Sequence, residues 1–535
     1  MDMRDPEVMD RSMSAWALHM GREVPPVEVR AALVRGTIAE AAAATARRLP
    51  DKSAIQVGAD GMTHAELDDT ARRVASWLTD HDAAPGTTVL LAGGNTMDYV
   101  VGYLAVLHSG AAVAPVNPML TSRELDILLQ DTRPVVTLAS GDRLEQLREL
   151  DVPGTLLSLE GDGPGTLARA AARSRAAPVL VHDPDVVAHL AFTSGTTGRP
   201  KATPLTHGNL LASVRAVMWA WRWTEDDVLV HALPMQHGHG LSAVQAVLLS
   251  GCRSVVLPAF DPEALCRTIA EERATVLFGV PAMYERILTW GGLADADLTS
   301  LRLATTGSAA LSPRTSDAMA AVLGHRPLER YGCTETGYVL SNPYDGDRRA
   351  GEVGIPLPGA EVAVVDVDAG PVADGAEGEI VARGPQVFAG YLHAAATEAF
   401  VGDGWFRTGD VGRVDPVSGY LTITGRAKDL IITGGLNVYP REVELALEAL
   451  PQVASAGVVG VPSERWGEEV TAFIVPADGC APGTDDLRAA AAELLAAYKR
   501  PKAFHLVEAL PRNHMGKVLR EVLVERAMGI LDEGT

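Results

Sequence analysis

The sequence predicts a layered α/β protein: a large N-terminal domain of sheets covered by helices, followed by a small α+β domain. Three observations predict it. Short apolar runs of strand length alternate with helical segments over most of the chain. Turn-forming residues then concentrate after about residue 412, through DPVSGYLTITGRAKDLIITGG. Beyond them lies a unit of about 110 residues with an apolar pattern of its own, which is domain-sized. A chain of 535 residues has room for roughly three or four such units. Its 47% hydrophobic and 21% charged residues are those of a globular protein with large cores.

Residues 1–35 read as a leader with no strong pattern that packs on the surface. A helix starts at Thr63, because Thr63 and Glu66 have capping-box spacing and Leu67, Ala71, Val74 and Leu78 share one face. Buried strands follow in TVLLAG, AAVAPV, PVVTLAS and VVAHLAF, and again in VLVHALP, SVVLP and TVLFGVP. In the small unit, Pro440 opens a helix with Val443, Leu447 and Leu450 on one face. The strands VVGV and VTAFIV, a helix over about 484–498 and a last strand AFHLVE complete it.

A net charge of −22 argues against nucleic acid, since no basic excess exists to neutralise a phosphate backbone. The four cysteines, Cys252, Cys266, Cys333 and Cys480, are scattered without a CxxC pair, as in a reducing compartment. No apolar stretch approaches the roughly 18–20 residues of a membrane span, and the N-terminus carries no hydrophobic signal core. A cytoplasmic location is the expectation.

Chemistry concentrates in a few motifs. The run Thr193, Ser194, Gly195, Thr196, Thr197, Gly198, then Arg199, Pro200 and Lys201, joins hydroxyls, two glycines and a lysine. Glycines admit backbone N–H groups close to an anion, and the lysine adds a mobile charge. The run lacks the Gly-Lys-Ser/Thr ending of a Walker A loop. YGCTETG (Tyr331–Gly337), WFRTGD (Trp405–Asp410), GRAKD (Gly425–Asp429) and PRNHMGK (Pro511–Lys517) follow in that order.

This ordered set resembles the adenylate-forming superfamily of acyl-CoA synthetases, peptide-synthetase adenylation domains and firefly-type luciferases, from about residue 38 to about 525. The resemblance implies a domain over 36–427 that binds ATP and the acid, and a mobile domain over 428–535 hinged near Lys428. It implies that Thr193 to Lys201 hold the β- and γ-phosphates, with Lys201 neutralising the departing pyrophosphate. Tyr331 would stack on adenine beside the Gly307-Ser308-Ala309 backbone, with Gly332 and Thr334 in the same motif. Glu335 and Thr193 would bind Mg²⁺, a hard ion that takes oxygen ligands. Asp410 would accept from the ribose hydroxyls, with Arg426 nearby. Lys517 would catalyse adenylation, since a preorganised cation stabilises the charge that grows on the phosphate oxygens. Lys428, Gly434 and Gly435 would serve coenzyme A, the glycines lining the pantetheine channel.

The acid is less defined. His237 gates the acyl pocket in related enzymes, and Gln236, Gly238, Thr306 and Gly332 would line it. Arg286, in GVPAMYERI, has the chemistry to hold a second carboxylate bidentately. The stretches around it are similar to malonyl-CoA synthetases. Gln236 and Gly238 depart from that subgroup by removing bulk, and Thr306 stands where a serine is usual. The function expected is therefore an AMP-forming carboxylate–CoA ligase for malonate or a related small dicarboxylate. Bulkier aliphatic, aryl or polycyclic acids, transfer to an acyl carrier protein, and a non-catalytic nucleotide-binding scaffold are the alternatives. A monomer or a homodimer fits the chain equally.

Overall fold

The computed structural model describes residues 6–117, 120–150, 152–193, 201–392, 399–434, 436–463, 465–477, 479–512 and 517–529. Two sheets form the body of the large domain. In the first, nine strands run in the order Ile355–Pro356, Gly337–Ser341, Leu328–Cys333, Leu303–Thr306, Val276–Phe278, Val228–His231, Arg253–Val256, Ser53–Val57, Asp60–Thr63. Its six central strands, from Leu328–Cys333 to Ser53–Val57, are parallel, and antiparallel pairs close both edges. The second has six strands, parallel except for the last pair, Val187–Thr193 with Lys201–Thr206. Every strand-like run singled out in this part of the sequence is a strand. Apolar runs without alternation suit strands whose two faces are both covered.

The helix Met97–Ser109 shows what covers them. All its residues but Asp98 are buried, and Gly110 ends it in a left-handed conformation that glycine adopts without cost. At 13 residues it is a core helix, too short for a membrane span. No helix among the described residues is long and apolar enough to cross a membrane. The helix His64–Thr79 starts where the capping box puts it. Thr63 N–H donates to Glu66 Oε2 at 2.9 Å and Glu66 N–H returns to Thr63 Oγ1 at 3.2 Å.

The leader is more structured than its composition suggests. It forms helices Pro6–Met20 and Pro26–Leu33, and Trp16, buried to 1%, donates from Nε1 to the Ala360 carbonyl at 2.9 Å. Arg30 pairs with the buried Glu361, which Arg383 also holds at 2.6 Å. These contacts are made hundreds of residues away, so no local periodicity announces them.

A third sheet, with strands Glu361–Val365, Gly378–Arg383, Phe400–Val401, Trp405–Val414 and Leu421–Arg426, leads to the small domain. The turn-rich stretch after residue 412 therefore begins inside this sheet, and the change of layer comes at the 3-10 turn Ala427–Asp429. The last sheet pairs Leu436–Val438, Ile431–Thr433, Gly467–Pro476 and Val453–Ser463, with Ala503–Leu506 added in parallel. Helix Pro440–Glu448 buries Val443 and Leu447 on it. The helix expected to reach residue 498 ends at Leu494, and a further helix, Arg520–Ala527, follows the last motif.

Candidate active site

Strands deliver the chemistry from their ends, as open α/β sheets generally do. At the phosphate end, Thr193 and Lys201 are direct partners across an antiparallel pair, so the sheet pins both ends of the glycine-rich run. Ser194, Gly195, Thr196, Thr197 and Gly198 lie outside the described residues. Glu335, buried to 8%, sits in the tight connection between Leu328–Cys333 and Gly337–Ser341. Its Oε1 accepts from Thr193 Oγ1 at 3.3 Å and from the Tyr391 hydroxyl at 2.9 Å. Lys201 Nζ lies 4.9 Å from the Tyr391 ring centroid, within cation–π range.

Tyr391 was not among the residues the sequence pointed to. A tyrosine in an irregular stretch carries little signal, and only the fold brings it beside Glu335 and Lys201. Beside that carboxylate its phenol is pushed far above the usual range, chiefly by burial and then by the Glu335 charge. It therefore stays a neutral donor. The oxygen atoms of Thr193 and Glu335 are the donor type a magnesium ion takes.

At the nucleoside end, Tyr331 donates from its hydroxyl to Asp410 Oδ2 at 2.6 Å, and Arg426 Nε pairs with Asp410 Oδ1 at 2.8 Å. Asp410 and Arg426 are register partners in adjacent strands, which explains why TGD and GRAKD occur together. Each carboxylate oxygen keeps lone pairs for a further donor. Thr334 is partly buried in the same connection as Glu335. Ser308 has φ 70, a left-handed conformation unusual for a residue with a side chain, so the Gly307–Ala309 backbone turns sharply at the strand end. A Cβ on Gly332 would lie 1.8 Å from the Gly337 carbonyl oxygen, so only glycine lets those strands approach.

Lys517 comes from the small domain to the same place. Its amine is lowered to about 8, first by burial, then by repulsion from Arg426 and Lys428, against the opposing pull of Asp429 and Asp410. Those four neighbours place it at the junction of the two domains. Lys428 itself is exposed on the turn Ala427–Asp429. Gly434 has φ 58, its N–H donates to the Trp466 carbonyl at 2.7 Å, and a Cβ there would meet the Trp466 ring at 3.1 Å. Gly435 lies outside the described residues.

The acyl residues are more dispersed. His237 is the N-cap of helix Gly238–Ser250, and its carbonyl accepts from Leu241 N–H at 2.9 Å. Gln236 is half-buried and Gly238 is exposed, with no atom within 4 Å of where a Cβ would stand. Thr306 is buried to 1%, and its Oγ1 makes no hydrogen bond. Arg286 is exposed on helix Pro281–Thr289 with its guanidinium over Phe260 at 4.7 Å, and pairs with no carboxylate among the described residues.

Residues 42–392 match the AMP-binding enzyme family, and residues 442–517 match the C-terminal domain of AMP-binding enzymes. The chain belongs to that family. Its relatives include several CoA synthases and ligases. It is 36% identical to a feruloyl-CoA synthase from Amycolatopsis over 89% of this chain and 96% of that one. It is 34% identical to a mitochondrial malonate–CoA ligase from Bos taurus over 82% of this chain and 81% of the other. ATP-bound MatB from Rhodopseudomonas palustris superposes with a TM-score of 0.85 at 38% identity, covering 92% of this chain and 99% of that one. This adenylate-forming protein is thus an AMP-forming acyl-CoA synthetase by class, with ATP, Mg²⁺ and coenzyme A as its co-reactants.

Proposed function

We propose that the protein activates a small dicarboxylic acid such as malonate, joining it to coenzyme A with release of AMP and pyrophosphate. The observation that carries the reaction is the gathering of Lys517 from the small domain with Arg426 and Asp410 from the large one. A carboxylate attacking the α-phosphorus builds negative charge there, and a fixed cation in a partly desolvated cleft stabilises that charge. Thr193, Lys201 and Glu335 would hold the pyrophosphate, and the oxygens of Thr193 and Glu335 would take a magnesium ion that would neutralise part of its charge. Thioester formation follows on rotation of the small domain, which brings Lys428 and Gly434 towards the acyl-adenylate.

For the acid, the 34% identity to a malonate–CoA ligase supports a dicarboxylate. A larger acid is the second reading, favoured by the open space at Gly238 and by the 36% identity to a feruloyl-CoA synthase. The test is a panel of acids, with pyrophosphate and CoA-thioester both measured. A dicarboxylate should give both products. Pyrophosphate without thioester, followed by transfer to a phosphopantetheinylated carrier protein, would move the acceptor from coenzyme A to a carrier. No pyrophosphate with any acid would leave only a nucleotide-binding scaffold.

A further inference from the structure

A buried amide joins the two main sheets of the large domain at their carboxyl ends. Asn95, 8% exposed, follows strand Thr88–Ala92 of the six-stranded sheet and precedes Thr96, the N-cap of helix Met97–Ser109. Strand and helix together fix its backbone, and Thr96 Oγ1 accepts from Tyr99 N–H at 3.1 Å. Its side chain reaches the nine-stranded sheet. Nδ2 donates to the Leu233 carbonyl at 3.0 Å and to the Leu257 carbonyl at 3.2 Å. Oδ1 accepts from Met235 N–H at 2.9 Å. Leu233 and Leu257 stand just beyond the paired parallel strands Val228–His231 and Arg253–Val256. Two carbonyls require the two amide hydrogens, and a backbone N–H requires the amide oxygen, so the chemistry of this side chain matches all three. A carboxylate of the same shape would face both carbonyls with no proton to offer.

The segment held by this amide leads straight into the acyl side of the cleft. The Pro234 carbonyl accepts from His237 N–H at 3.2 Å, so a turn that starts among the partners of Asn95 ends on His237. His237 then caps helix Gly238–Ser250. That helix presses on the turn from the opposite side. A Cβ on Gly240 would stand 2.3 Å from the Pro234 carbonyl oxygen and 3.0 Å from that of Leu233. Only a glycine lets the first helical turn lie so close to the segment. Leu233 and Met235 are buried between these two supports, whereas Gln236 is half-buried and Gly238 is exposed. The residues assigned to the acid thus project from a turn clamped by Asn95 on one side and by Gly240 on the other.

The sheet that supplies Asn95 also supplies the phosphate end of the site. Thr88–Ala92 pairs with Ala112–Pro115, that strand with Val187–Thr193, and the last with Lys201–Thr206, so Thr193 and Lys201 belong to the same ladder. We infer that Asn95 is a positioning residue for the acid. It fixes the Pro234–His237 turn, and with it Gln236 and Gly238, relative to the sheet that carries Thr193 and Lys201. This rests on the ligase reading and on the acid lying beside that turn. The physical need is spacing, since a carboxylate must meet the α-phosphorus in line and a misplacement of about 1 Å can cost about 100-fold in rate. One amide that ties the two sheets sets this spacing by acting through the turn.

Asn95→Ala and Gly240→Ala disturb the same turn from opposite sides, which makes them the pair to compare with wild type. The substrate is whichever of malonate, propionate and ferulate wild type uses best, with pyrophosphate release as readout and ATP binding measured separately by calorimetry. Asn95→Ala should raise KM for the acid about tenfold while the Kd for ATP stays within about twofold. Gly240→Ala should shift KM for the acid in the same direction, by about threefold or more, because its Cβ displaces Pro234. A residue that merely supports the fold would lower the active fraction, and hence kcat, with KM for the acid in place. That result in a folded Asn95→Ala would overturn the inference, as would an equal weakening of ATP binding. Should Asn95→Ala not fold, Gly240→Ala decides, and an unchanged KM for the acid there would overturn it too. Failure of the ligase reading is distinct, because then no acid yields pyrophosphate in wild type.

Discussion

The two ends of the cleft are prepared in opposite ways. At the nucleotide end each buried carboxylate is engaged: Glu335 by Thr193 and Tyr391, Asp410 by Tyr331 and Arg426. Under helix Gly238–Ser250, Arg330, His239 and Thr305 hold buried polar atoms with no partner among the described residues. A group already oriented by its neighbours has its geometry fixed before the ligand arrives, which suits a co-substrate common to the whole family. A buried donor left open rejects ligands that cannot satisfy it, because the wrong acid leaves it unpaired.

The comparison breaks most visibly at Lys517. Lys517→Ala should cost on the order of 10²–10³ in the adenylation rate, with CoA attack on a supplied acyl-adenylate retained. Single-turnover assays of the two half-reactions separate these outcomes, and equal loss of both would remove Lys517 from adenylation. Asp410→Ala should come next. It strands the Tyr331 hydroxyl and Arg426 and removes a ribose acceptor, so KM for ATP should rise by about tenfold or more, from loss of a charged hydrogen bond. An unchanged KM for ATP with a lowered KM for the acid would misplace this residue.

The pH profile sharpens the same contrast. In its proposed role Lys517 acts as a cation, and burial and neighbouring cations lower its amine to about 8. The cation is thus complete well below pH 8 and is lost as pH rises through it. Accordingly kcat/KM for ATP, which reports the free enzyme, should fall above about pH 8. The acid preference set at the other end should not move in that range. Least affected should be Arg286→Ala, about threefold or less in kcat/KM for the acid, since its guanidinium is exposed and shares its charge with water. A loss as large as that expected of Lys517→Ala would place a carboxylate of the acid on Arg286.

Much of the site was legible in the chain because the family's motifs are contiguous. TGD and GRAKD are each read locally, and their meeting at Asp410 and Arg426 follows from one strand register. Strand positions were legible for a similar reason, since runs such as TVLLAG need both faces buried wherever they lie. Tyr391, Arg330 and the leader were not. Tyr391 gains its meaning from Glu335, 56 residues earlier. Trp16 finds its hydrogen bond 344 residues away. Arg330, beside the YGCTETG motif, looks like any other arginine until the sheet buries its Nε and Nη2 with no hydrogen-bond partner among the described residues.

The sequence by itself determined the layered α/β class, the motif order and the kind of reaction, because periodicity and short motifs are local properties of the chain. Only the tertiary structure decided which charges are satisfied. Whether a buried cation has a partner depends on which strands lie side by side and which face each presents, and no single segment holds that information. That separates the motif-bearing end of the cleft, recognisable from its letters, from the environment of Arg330, visible only once the sheet and its covering helix are assembled.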